Sequence, residues 1–146
     1  MGWDCSARNA AAAAYKASKA KYEEEKAKYN DAVALQDRLK EEETKISEMI
    51  NSYNDIYSTL SDAGSTFLTQ SNVDILNSGS NCLSDYSSAL LETKSQCDKE
   101  VSRCETNMNK AHDDMVKKEY IANNTQCVYI EDTYRRYWYL KKGANR

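Results

Sequence analysis

Hydrophobic and polar residues follow one another along this chain with a seven-residue period. In the first half Tyr15, Tyr22, Tyr29, Gln36, Glu43, Ile50 and Tyr57 stand at every seventh place. Three places later run Ser18, Glu25, Ala32, Leu39, Ile46, Tyr53 and Leu60. Two such rows make the seam of a heptad, the stripe that one helix turns toward a partner helix. The stripe is mixed near its start and mainly apolar from Ala32 onward. Between the seam positions the charges alternate in sign, with Glu24 four residues before Lys28 and Glu41 four before Lys45, an order that supports a solvated helix face. The pattern predicts one helix from about residue 7 to about residue 62.

The second half repeats the logic. Leu83, Tyr86, Leu90, Cys97, Val101, Cys104, Met108, Ala111, Met115 and Ala122 fall at steps of three and four or their sums, which predicts a second helix from about residue 80 to about 138. The stretch SDAGSTFLTQSNVDILNSGSN lies between, rich in residues that favour turns. Gly64 can end the first helix and Ser78 or Ser80 can cap the second, giving a tip from about 63 to 79. Helices of about 55 residues are some 80 Å long at 1.5 Å per residue. So short a connection forces them antiparallel. The expected fold is all-α, an elongated, coiled-coil-like, antiparallel two-helix hairpin with a Ser/Asn/Gly-rich tip, in one domain over residues 1–146.

Composition agrees. The 146 residues include no proline and four glycines, too few turn-formers for a many-stranded sheet, and the mean hydropathy of −0.84 suits a narrow seam better than a thick core. A net charge of −3 gives no general attraction to nucleic acid or anionic lipid. No run approaches the roughly 18 apolar residues of a membrane span. Ala10 to Ala14 is too short for the core of a signal peptide, so the expected location is cytoplasmic. Met1, Gly2 and Ser6 loosely match an N-myristoylation pattern, but Trp3 and Asp4 after the glycine favour an ordinary helix-capping segment.

The least expected feature is the end, YIEDTYRRYWYLKKGANR, which crowds five aromatic rings into eleven residues of a hydrophilic chain. A hairpin returns this end to the side of Trp3, and places Tyr15, Tyr22 and Tyr29 opposite residues 111–125. Trp3, Tyr15, Tyr22, Tyr129, Tyr134, Tyr137, Trp138 and Tyr139 are therefore the candidate partner-binding residues, with Tyr120 nearby. Consecutive rings such as Tyr137, Trp138 and Tyr139 point around most of a helical turn and cannot all meet one neighbouring helix. Tyr and Trp are enriched at protein interfaces. The competing reading is that these rings plug the open end of the hairpin. The five basic residues of the tail are too few and too local for a nucleic-acid or membrane surface, and a helix dipole accounts for cations at a C-terminus.

Five cysteines leave at least one unpaired. Cys97 and Cys104 stand seven apart on one helix, too far to bond to each other, and read as small hydrophobes of the seam. Cys5 with Cys127 is the one conceivable pair, if the N-terminal segment bends back; reduced thiols are the default expectation. His112 is the sole histidine, and neither a metal-ligand spacing nor a catalytic set can be built around it. No catalytic residue, metal site or cofactor is assigned. Asn123-Asn124-Thr125 matches a glycosylation sequon inside a predicted helix and reads as chance.

In the segment LNSGSNCLSDY, Gly79 is followed by the small Cys82 and the aromatic Tyr86. On this tip motif and on its hairpin architecture the chain resembles the WXG-type helical hairpins of bacterial type VII secretion, including the small partners of LXG-domain toxins. Asn77 stands where those proteins carry the motif Trp. The resemblance implies a non-enzymatic adaptor, chaperone or targeting partner that binds another helical protein, such as a toxin's N-terminal region. It also implies export with that partner by a route that uses no signal peptide. The alternative is a structural coiled-coil protein that self-assembles into homo-oligomers.

Overall fold

In a computed structural model, residues 2–63 and 69–130 are described. Strand β1 (Gly2–Asp4) leads into helix α1 (Ser6–Asp62); helix α2 (Gln70–Asn124) follows, then strand β2 (Val128–Ile130). The helices, of 57 and 55 residues, pack as an all-α two-helix hairpin. The strands pair antiparallel as a small ribbon, with Gly2 opposite Ile130, Trp3 opposite Tyr129 and Asp4 opposite Val128. The sequence pattern gave no sign of it.

The helix ends are set by local side chains. The Asp4 carboxylate accepts a hydrogen bond from the Ser6 amide at 2.9 Å, and the Cys5 carbonyl accepts the first helical bond, from Asn9 at 2.8 Å. A carboxylate here also faces the positive end of the helix dipole. Thr69 is the N-cap of α2: its hydroxyl accepts from the Asn72 amide at 3.2 Å and its carbonyl from Val73 at 2.9 Å. At the far end the last carbonyls are met by side chains, Asn124 donating to Tyr120 O and Thr125 to Ile121 O.

Two expectations are corrected. Helix α2 begins at Gln70 and not near residue 80, because Thr69 caps it and because Val73 and Leu76, both half-buried, extend the apolar row through a stretch of weak helix formers. It ends at Asn124 and not near 138, because the chain next turns into Cys127 and β2. Residues 64–68 and 131–146, including Tyr134, Tyr137, Trp138 and Tyr139, lie outside the described residues.

The chain divides into two compact units, each taking part of both helices. The first comprises Met1–Lys26 and Thr106–Arg146. Its seam sets Tyr15, Ser18 and Tyr22 of α1 against Glu119, Asp114 and His112 of α2, with Ser18 and Ala111 buried. Tyr15 donates to Glu119 Oε1 at 3.2 Å and Ser18 to Asp114 Oδ2 at 2.7 Å, so the helices run antiparallel. The second unit is Ala27–Glu105. Ala32, Ile46, Leu90, Cys97 and Cys104 are its buried residues. Polar positions of the heptad row also cross this seam: Gln36 donates to Asp98 at 2.7 Å, and Lys94 pairs with Glu43. Such pairs fix the register more than they add stability. Tyr86, expected on the seam, is 48 % exposed, and the half-buried Ser87 holds the seam position. The heptad row outranks the hydrophobicity of the single residue.

Candidate functional site

The candidate residues divide among three settings. Tyr15 and Tyr22 belong to the seam of the first unit. Tyr15 is half-buried, and loss of water together with the neighbouring Glu119 carboxylate raises its hydroxyl above the ordinary value. The Tyr22 ring meets the imidazole of His112 edge-on at 5.2 Å between centroids. Both rings face the other helix of their own hairpin and keep part of their surface exposed. Next to them the Asp114 carboxylate accepts from Ser18 and from Lys118 Nζ at 3.0 Å; these contacts, Ser18 first, hold its pKa below the ordinary value.

Trp3 and Tyr129 meet across the ribbon, with ring centroids 5.1 Å apart, and remain exposed. Tyr120 is exposed as well. Directly beside this pair Cys5 and Cys127 are joined by a disulfide, with Cα atoms 4.3 Å apart. This corrects the expectation of reduced thiols throughout. The N-terminal segment does bend back, since β1 continues the antiparallel register of the hairpin. Their residue numbers add to the same total as those of Ser18 and Asp114 and of Gly2 and Ile130, a signal present in the sequence once the register is known. Cys97 and Cys104 are buried free thiols, and Cys82 is an exposed one.

Gly79, Cys82 and Tyr86 do not form a tip. All three lie inside α2, and their spacing of three and four sets them on one stripe of it. A Cβ added at Gly79 would stand 3.2 Å from Cε2 of Tyr53, so the glycine is a notch that admits the tyrosine ring. Tyr53 in turn forms part of a shallow groove of about 600 Å³ on the second unit, with Met49, Ser52 and Ile56 of α1 and Leu83 of α2. Lys45 and Glu48 stand at one end of it. Lys45 bonds to Glu42 at 2.9 Å; that contact chiefly, with smaller help from Glu41 and Tyr86, raises its pKa.

Met49 and Ile56 are 53 % and 57 % exposed although large and apolar. They stand seven residues apart, and exposed Leu35 stands two heptads before Met49. One flank of α1 thus carries apolar residues at the period of the seam but outside it, with Glu42 standing at the place between Leu35 and Met49. The sequence contains these positions, but the two seam rows alone account for the hairpin and leave them without an assigned role. Among the described residues no three His, Cys, Asp or Glu side chains gather in a way that could hold a metal, and no helix is long and apolar enough to cross a membrane.

No protein-family model, no curated protein and no solved structure matches this chain.

Proposed function

We propose that this chain is a non-enzymatic helical adaptor whose second unit docks a helix of another protein in the groove beside Met49, Ile56 and Leu83. The observation that carries the reading is the exposed apolar pair Met49 and Ile56, one heptad apart in the groove, with exposed Leu35 further along the same flank beyond Glu42. A two-helix seam consumes two positions of each heptad; apolar residues repeated at a third position on the same helix serve a further helix. The partner is accordingly an amphipathic helix with its own apolar stripe. The groove end supplies one cation and one anion, Lys45 and Glu48, so it asks for no net charge in that partner.

The finer reading is a targeting partner for an exported toxin; the hairpin architecture supports it, while the segment LNSGSNCLSDY, lying inside α2 and not at a tip, does not add to it. The Cys5–Cys127 disulfide supports a working life outside a thiol-reducing compartment. The runner-up, self-assembly, would use the same flank against a second copy.

The test compares the wild-type chain with Met49→Lys/Ile56→Lys, each recovered from the native host without denaturation. The wild type should emerge in a complex heavier than its own 16.6 kDa and containing a second, helical chain, and the variant should emerge alone. A complex made only of this chain transfers the groove to self-assembly. A wild-type chain recovered alone overturns docking. Wild-type chain in the medium, with the variant retained in the cells, would support export with the partner.

A further inference from the structure

We infer that the Cys5–Cys127 disulfide is a redox latch for the ribbon and not a staple for the whole fold: oxidised, it holds β1 on β2 and presents Trp3 beside Tyr129; reduced, it releases both strands while the helices stay paired. This inference is independent of the docking groove, which lies in the other unit.

The ribbon has three residue pairs, and all six residues are exposed. Two-stranded ribbons are marginal in water even when longer, since they bury little and leave their edges open. Gly2, moreover, adds no side chain to the packing. The disulfide follows Asp4 and precedes Val128, so it occupies the next rung of the same ladder. It is the strongest constraint on the register of these strands. The helices beside it have other supports. Ser18 and Ala111 are buried, Tyr15 donates to Glu119 and Ser18 to Asp114, all on the helix side of the disulfide. The Asp4–Ser6 contact and the Asn9–Cys5 backbone bond start α1 through oxygen and nitrogen atoms that reduction leaves unchanged. One element therefore depends on the sulfur bond and the other does not.

The latch can be reached. Cys5 and Cys127 are half-buried and not sealed in a core, unlike Cys97 and Cys104. A dithiol opens it by thiol–disulfide exchange. One thiolate attacks Cys5 or Cys127 sulfur and breaks the S–S bond, forming a mixed disulfide and releasing the other cysteine as a thiolate. The second thiolate of the dithiol then displaces the bound cysteine. Two electrons and two protons end on Cys5 and Cys127, and the dithiol leaves as a disulfide. Moved from a reducing to an oxidising compartment, the chain closes the latch in the reverse direction, against a disulfide oxidant. Presentation of the Trp3–Tyr129 pair thereby reports the compartment.

The experiment uses the full chain carrying Trp138→Phe, so that Trp3 is the remaining tryptophan. Amide exchange of residues 2–4 and 128–130, near-ultraviolet circular dichroism of the aromatic pair and far-ultraviolet helical signal are measured before and after dithiothreitol. The ribbon amides should exchange at least about tenfold faster after reduction and the near-ultraviolet signal should fall, while the helical signal stays within about a tenth of its starting value. Cys5→Ser/Cys127→Ser in the same background should behave as the reduced form without dithiol, and dithiol should then change nothing further. Ribbon protection that survives reduction or the double substitution overturns the latch. So does a helical signal that collapses together with the ribbon, which would make the disulfide a staple of the whole fold.

Discussion

Gly79 of α2 stands directly against the ring of Tyr53 of α1, with room for a hydrogen but not comfortably for a methyl group. The notch sits within the second unit at the docking groove, so the glycine acts on the helix pair and on the surface it offers. Alanine in a helix is favoured over glycine by about 1 kcal/mol. Gly79→Ala should deliver that gain in thermal or denaturant unfolding when Tyr53 is first replaced by alanine, and less than half of it when Tyr53 is present. Equal gains in the two backgrounds would show that no notch exists.

The Tyr53 hydroxyl is sealed from solvent and has no hydrogen-bonding partner among the described residues. Removing a buried polar group that makes no bond relieves its desolvation cost, of order 1 kcal/mol. Tyr53→Phe should therefore raise the unfolding free energy, and a loss of comparable size would mean that the hydroxyl has a partner.

Ile46 and Ile56 lie on the same helix with opposite surroundings, 5 % and 57 % exposed. Ile46→Ala should cost about 3 kcal/mol, as buried large-to-small changes do. Ile56→Ala should change stability by no more than roughly 0.5 kcal/mol, as surface changes do. Comparable losses at both would erase the distinction between seam and free flank.

Thiol labelling should sort the five cysteines in one experiment. In the native, unreduced chain Cys82 should react fast and Cys97 and Cys104 slowly, since they are buried, while Cys5 and Cys127 do not react. Unfolding without reductant should expose three thiols, and reduction should add the pair. Five reactive thiols in the unreduced chain would remove the disulfide and the latch with it.

Asp114 gives the pH dependence. Its folded pKa is held below the ordinary 3.8, first by Ser18 and then by Lys118, so it contributes stability above that value and loses it as pH falls through the lower folded value. The stability of the wild type should accordingly fall with acid more steeply than that of Asp114→Asn. An NMR titration should place the Asp114 carboxyl midpoint below 3.8; a midpoint above it would contradict the Ser18 contact.

What could be read in the sequence followed from what repeats. The heptad rows placed Ile46, Cys97 and Cys104 in the seam, because burial of one stripe imposes the period on a long stretch. Composition misled where single residues compete with that period: SNVDILNSGS looks like a loop, yet Val73 and Leu76 pack and Thr69 caps, so it is helix. Tyr86 looks like core and is displaced by Ser87. The ribbon was not legible because three-residue strands carry no period; Cys5 with Cys127 stood out as the one conceivable pair, but that the bond forms required the register. The exposed flank with Leu35, Met49 and Ile56 was present throughout but becomes meaningful only once the seam has its partner.

The central claim is that this flank is a docking surface for a helix of another protein. A photo-crosslinking residue placed at Ile56, with Asn51 on another face of α1 as the control position, tests it in the native host by mass spectrometry of the joined peptides. Ile56 should cross-link to a different protein, at apolar residues spaced three, four or seven apart on one helix, and Asn51 should give few links. Equal cross-linking from the two positions, or links from Ile56 without helical spacing, would contradict it.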